Sequence, residues 1–338
     1  MKSEHQRNVM LGLALTAASV LPAVLSPGTS GPSAPGRPPT TTAKSAKAST
    51  PKEFSISIKN LQDWANTVVV TLNSVHVEGH SKVHTIDNDC EIHLGAHSTD
   101  FQGDPDGLVL EPMNACEAPF PGKSEQNNAD WIAFSNQVTG TTVTVSGVPR
   151  IWPEHLDGGN EASNPNHAVE LHPLASMKTG AKNFDFTPNI FAGDYTGGVS
   201  EATALRIVQQ TSVSVTRLGD SAEISFRAGQ IGNFTVVDLV IDKTTITSDG
   251  AGSFRMDGDV IIDDSTTAPV TIVTVSGSPI NDQMAKIKKK KSKNINMHAL
   301  VLFSLNPGAL LDAANKSQGS SVAVEKPIQL ILYGVPDV

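Results

Sequence analysis

Cysteine is almost missing from this chain of 338 residues, with only Cys90 and Cys116 present. No cysteine lies near residue 25, which excludes a lipoprotein anchor there. Aromatic residues are scarce at 5%, and charged residues make up only 17% against 38% hydrophobic ones. That balance belongs to a globular chain of low charge density rather than a disordered one. With Ser, Thr, Val, Gly and Asn plentiful, it favours strands and turns over helices. Catalytic signatures are missing too. There is no GxSxG elbow and no glycine-rich phosphate cradle between a strand and a helix. Nor is there an HExxH or His-x-His metal motif.

The N-terminus carries an address. Lys2 and Arg7 precede an uncharged, mostly apolar run at residues 9–25, closed by Pro22 and Pro27. This reads as a secretory signal peptide over residues 1–26. The alternative is an uncleaved anchor, because about 17 residues is the lower limit for spanning a bilayer. Residues 27–52, rich in Pro, Ser, Thr and Ala, read as a disordered linker. An exported chain of bacterial type follows, placed in the periplasm, at the cell surface or outside the cell. In that setting the even pair Cys90 and Cys116 points to a disulfide. Two buried thiols or a metal-binding pair are the alternatives.

Strand patterns begin after residue 53. Residues 67–78 (TVVVTLNSVHVE) are β-branched, and residues 83–94 (VHTIDNDCEIHL) alternate. That alternation puts Cys90, Ile92 and Leu94 on one face, and Asp89, Glu91 and His93 on the other. GDPDG at 103–107 is a turn, and a short third strand starts at Leu108. Residues 124–138 then read as a helix, with Ser124 as N-cap and Trp131, Phe134 and Val138 at helical spacing. Alternating strands return at 141–148 and 167–174, separated by a long polar loop. Three strands, one helix and two strands is the chain order of an OB-fold, a small five-stranded barrel. The expected domain is residues 53–178, with another small β-barrel or sandwich as the competing form.

Three segments carry a resemblance. DNDCEIHL (87–94), VSGVPRIWPEH (145–155) and NPNHAVELHPL (164–174) resemble a group of exported bacterial OB-fold-like proteins. Members of that group have a DxDxHL-type second strand, a VTGV-type fourth strand and an IELHPV-type fifth strand. The resemblance covers residues 65–178, and the long 152–166 loop departs from its pattern. It implies a fold and no activity.

Residues 179–338 keep alternating, in seven short segments separated by Gly, Asp, Asn and Pro turns. They read as a second domain, an antiparallel β-sandwich or barrel without helices beyond a short turn at 306–315. The fold class is therefore all-β.

Histidine is the most suggestive residue type, with eight of ten between positions 76 and 172. His93 and His172 are candidate metal ligands beside Asp89, Glu91 and Glu170 on polar strand faces. The five form a candidate binding set. In an OB barrel, however, the third strand separates the second from the fifth, and such side chains serve equally as surface hydrogen-bonders. Asp100, Asp104 and Asp106 before Gly107 lack the bidentate Glu of a calcium loop and read as a solvated turn. KIKKKKSK at 286–293 holds Lys286, Lys288, Lys289, Lys290, Lys291 and Lys293. It reads as a solvated hairpin loop, or as a contact for anionic polymers. Residues 53–178 carry 17 Asp and Glu against 5 Lys and Arg, a formal net charge of −12. Their single arginine, Arg150, is read as a loop residue. That balance argues against nucleic acid as a partner of the first domain and against a staphylococcal-type nuclease. The leading expectation is a non-enzymatic binding or structural protein of the envelope without a cofactor, its ligand a small molecule, a glycan or another protein rather than nucleic acid; a purely structural or adhesive module is a further class. The protein touches a membrane only if its leader is retained. The rival is a divalent-metal-dependent envelope hydrolase using the His and carboxylate faces.

Overall fold

The computed structural model describes residues 50–84, 89–156, 160–193, 198–261 and 267–335. The chain divides into two units, residues 1–46 and 47–338, and the architecture below is that of the second. The expected leader, and all of the linker but its last residues, lie outside the described residues.

The first half contains β1 (Lys52–Ser57), helix α1 (Ile58–Asn66), β2 (Val70–His80), β3 (Leu94–Ser98), β4 (Gly107–Leu110), helix α2 (Asn128–Val138), β5 (Thr142–Ile151) and β6 (Val169–Thr179). Strand β2 pairs with β3, β3 with β4, and β4 with β6 in parallel; β6 pairs with β5, and β5 closes back onto β2. Ranked along the chain, the barrel runs 1-2-3-5-4-1, with α2 between its third and fourth strands. This is the OB-fold order expected from the sequence. The hydrophobic alternation of β2 and β5 lines the interior with Leu72, Val75, Val77, Val143 and Val145. Asn127 caps α2, three residues after the expected Ser124. The helix buries Trp131 and Phe134 against Phe120 and Phe186.

The second half contains helix α3 (Glu201–Gln210), β7 (Ser212–Leu218), β8 (Ser221–Arg227), β9 (Phe234–Asp242), β10 (Phe254–Ile261), β11 (Thr267–Thr274), helix α4 (Pro279–Lys288), β12 (Asn294–Leu305), helix α5 (Pro307–Ser317) and β13 (Ile328–Gly334). Strands β9, β10, β11, β13 and β12 close into a second barrel, with β11 and β13 parallel. Its order is again 1-2-3-5-4-1, and α4 occupies the place of α2. The second half is thus a barrel with a mixed sheet, and the chain carries the same topology twice.

Three local expectations need correction. The described residues 81–84 and 89–93 lie outside any strand, and the second strand begins only at Leu94. Cys90 has φ +59°, a left-handed conformation outside the regular strand region. The loop arms still pair, with Ser81 N–H donating to His93 O and His84 N–H to Glu91 O. The second half is also not free of helix. In α3 the apolar run that read as a strand buries Ala204, Ile207 and Val208 on one helical face behind the N-cap Ser200. In α4, Ser278 caps and Pro279 starts a helix that buries Ile280 and Met284. The lysine segment is therefore no hairpin loop: Lys286 and Lys288 end α4, where cations suit the helix dipole, and Lys289 to Lys293 follow it. Finally, Arg150 is a buried strand residue of β5.

The halves are joined in two ways. Strand β1 pairs with β8 from Lys52↔Phe226 to Ser57↔Ser221, so one sheet draws on both halves. A separate apolar cluster holds Cys90, Met113, Val148 and Ala175 together with Leu300, Leu302, Ile331 and Tyr333. That seam covers the outer face of β6, which is why its polar residues are buried.

Candidate functional site

Three chain segments meet at one end of the first barrel. The described residues 81–84 and 89–93 bring His84, Asp89, Glu91 and His93. The chain leaving β4 brings Glu111 and Met113. The long loop between β5 and β6, with its flanks, brings Arg150, His155, His167, Glu170 and His172. Loops in these two positions are the ones with which OB barrels hold ligands.

His172 is the hub. Its Nε2 lies 2.8 Å from Glu91 Oε1 and 3.2 Å from Met113 Sδ, while its Nδ1 lies 2.5 Å from Glu111 Oε2 and 3.4 Å from Glu170 Oε2. Glu170 also bonds Arg150 Nη1, and its Oε1 lies 3.1 Å from His167 Nε2. Arg150 is fixed further by Glu154 at 3.2 Å and by Phe303 O of the second barrel at 2.8 Å. Glu91, Glu111, Glu170, His167, His172 and Arg150 are all buried.

A half-open layer covers this core. His84 Nδ1 lies 2.7 Å from Asp89 Oδ1, and His93 Nε2 lies 3.4 Å from Glu111 Oε1. The rings of His84, His93, His155 and His167 follow one another at 4.6, 6.4 and 5.1 Å. Side-chain exposure is 21% for His84, 15% for Asp89 and 13% for His93.

The charges interlock. Burial pushes the Glu91 carboxyl well above the usual range, with His172 acting against the shift. Burial and Glu170 push Glu111 up, but His172 and His93 outweigh them and hold it at about 2. Burial also opposes ionisation of Glu170, yet Arg150 and His167 keep it well below the ordinary value. Burial disfavours charge on His172, and Glu91 and Glu111 still raise it well above the histidine range. Burial lowers His155, while the hydrogen bond to Asp89 raises His84.

No protein-family model matches this chain, and no curated protein matches it. The site therefore stands on its own geometry.

All five sequence candidates, Asp89, Glu91, His93, Glu170 and His172, converge here. The third strand does not keep the second and fifth apart at this end, because Glu91 and Glu111 sit just beyond the strand ends and lean over the mouth. Sequence reasoning missed Glu111, His84, His155 and His167 as site residues. Glu111 had a signal, since it directly follows the third strand at Leu110. His155 and His167 fall at the two ends of the unusual polar loop. His76, His80 and His97 belong elsewhere; His97, for example, lies 3.4 Å from Glu78. The corresponding end of the second barrel is an open cleft of about 540 Å³ lined by Arg255, Asp257, Asp312 and Lys316, without histidine.

The donor set suits a divalent metal. Glu91, Glu111 and His172 each offer a ligand atom, all within 4.8 Å of one another, as do His84, Asp89 and His93. Imidazole with carboxylate oxygen is a donor set for zinc and related ions. Disulfide Cys90–Cys116, with Cα atoms 5.1 Å apart, ties the loop bearing Glu91 to the segment following Glu111. Ala115 N–H donates to Cys90 O across the same tie.

Proposed function

We propose that this is an exported cell-envelope protein that binds a divalent transition-metal ion at the inner triad Glu91, Glu111 and His172 of its first barrel. One observation carries the reading. Glu91 Oε2 is buried and has no hydrogen-bond partner, in a triad whose ligand atoms lie within 4.8 Å of one another. A buried acceptor without a partner costs roughly 1–3 kcal/mol, and more when charged. A cation bound by that oxygen removes the cost. Metal at such ligands competes with protons, which burial favours on Glu91 and the neighbouring carboxylates favour on His172.

Binding is favoured over hydrolysis because the triad is at most 3% exposed, which leaves no room for an organic substrate against it. Export is supported by the leader-like N-terminus and by the disulfide, which persists in oxidising compartments. Among the described residues no helix is long and apolar enough to cross a membrane.

The test is metal retention. Chelator-stripped protein dialysed against Zn²⁺, Mn²⁺ or Ni²⁺ is expected to keep at least one equivalent, and the His172→Ala variant to lose it. Retention of no metal by the folded wild type overturns the reading.

A further inference from the structure

The inner triad does not use up the ligands at this mouth. His84, Asp89 and His93 form a second set, also with ligand atoms within 4.8 Å of one another. The two sets do not merge into one. The ligand atoms of His84, Asp89 and His93 cluster within 4.8 Å of one another, and so do those of Glu91, Glu111 and His172, as two separate groups. The inner set is buried between barrel and seam. The outer set opens to solvent, with its three side chains 13–21% exposed.

Glu111 links them. Its Oε1 lies 3.4 Å from His93 Nε2 of the outer set, and its Oε2 lies 2.5 Å from His172 Nδ1 of the inner set. One carboxylate thus directs a different oxygen at each set, the arrangement of a bridging ligand between two ions. Backbone fixes this group from both sides, since Glu111 N–H donates to Leu171 O at 3.1 Å and Glu111 O accepts from Leu174 N–H at 2.9 Å. Asp89 and His93 belong to the outer set and Glu91 to the inner one; the left-handed backbone at Cys90 breaks strand alternation between them, and the disulfide at Cys90 holds the segment there. Charge fits as well. Asp89, Glu91 and Glu111 set three negative charges against the four positive charges of two divalent ions.

We propose that the first barrel holds a two-metal centre: an inner ion on Glu91 and His172, an outer ion on His84, Asp89 and His93, and Glu111 bridging them. This rests on the single-ion reading above and adds the second ion and the bridge. The outer ion is the one in reach of solvent. It supplies the entry path for the inner ion and the place where an anionic ligand meets the metal.

The experiment is a stoichiometric titration of the chelator-stripped mature protein with Zn²⁺, by calorimetry and elemental analysis. Two equivalents per chain are expected for the wild type. His84→Gln is expected to leave one, Glu91→Gln to leave one, and Glu111→Gln to weaken both by about tenfold or more. The wild-type count decides even where a variant folds poorly. One equivalent, unaffected by His84→Gln, overturns the two-metal centre and leaves the inner site standing; zero equivalents overturns both. With two equivalents of Mn²⁺, the bridge predicts an exchange-coupled electron paramagnetic resonance spectrum. Two independent six-line signals overturn the role of Glu111.

Discussion

Glu91 Oε1 and His172 Nε2, 81 residues apart in sequence, meet at 2.8 Å although the strands nearest them, β3 and β6, share no hydrogen bonds. Burial raises the Glu91 carboxyl, so in the metal-free protein it is the acid of the cluster that keeps a proton most readily. Glu91→Gln replaces the carboxyl by an amide of the same shape that carries no charge at any pH. The variant should lose the inner ion while changing metal-free stability by less than about 1 kcal/mol. Paired urea melts and metal analysis check this. A loss above roughly 3 kcal/mol would show that Glu91 is ionised and structural.

Arg150 behaves in the opposite way. It and Glu170 are both 1% exposed, and Arg150 also holds Phe303 O in the second barrel. Removing one partner of a buried pair leaves the other charge stranded, at a cost of about 3–5 kcal/mol. Arg150→Ala should therefore lower stability by that amount in the presence of chelator. The double variant Arg150→Met with Glu170→Gln should recover part of it. A cost below 1 kcal/mol in urea denaturation contradicts the pairing.

His167 sets a pH dependence. Burial lowers its pKa, but the hydrogen bond and charge of Glu170 prevail and raise it, with Pro165 O bonded to the other ring nitrogen and Glu111 adding to the shift. A raised histidine contributes stability that is complete below its ordinary value of about 6.5 and is lost as pH rises through the folded value. Neighbouring His155, lowered by burial, works the other way. Metal-free protein should have a lower urea midpoint at pH 8.5 than at pH 5.5, and His167→Gln should narrow the difference, the rest of which comes from His172 and His84, which are also raised. An equal slope in wild type and variant rules this assignment out.

The disulfide closes a sequence separation of 26 residues, which restricts the unfolded chain by about 3–4 kcal/mol on the loop-entropy estimate. Cys90→Ser with Cys116→Ser should cost about that much. It should also weaken zinc binding, because the loop that carries Asp89, Glu91 and His93 is released. Unchanged zinc affinity would separate the disulfide from the site.

Nucleic acid is not the expected partner of the first barrel, whose residues carry the −12 formal charge noted above. Phosphate contacts need lysine and arginine. Because β1 belongs to a sheet with β7 and β8, the test uses the whole mature chain rather than a fragment. Filter binding to single-stranded DNA at physiological salt should be absent, or should vanish when the lysines of 286–293 become glutamine. Salt-sensitive micromolar binding that survives those changes refutes the expectation.

Much of the first barrel was legible because its signals are local. β-branched alternation marked β2 and β5, Trp131 and Phe134 at helical spacing marked α2, and two cysteines left one disulfide to make. The helices of the second half were not legible. ALRIVQQ has β-branched residues that suit a strand or a helix, and only the packing of Ala204, Ile207 and Val208 in the folded chain decides for α3. The lysines of α4 likewise hid a helix whose buried face is small.

By itself the sequence determined residue chemistry: an all-β chain, an acidic first half, a cysteine pair, and histidines and carboxylates placed singly along a hundred residues. Only the tertiary structure decided that His84, Asp89, Glu91, His93, Glu111 and His172 meet. The reason is physical. Strand alternation tells which side of one strand a residue takes. Which residues share a barrel mouth depends on closure, register and the seam with the second barrel, and these arise from contacts between residues far apart in sequence.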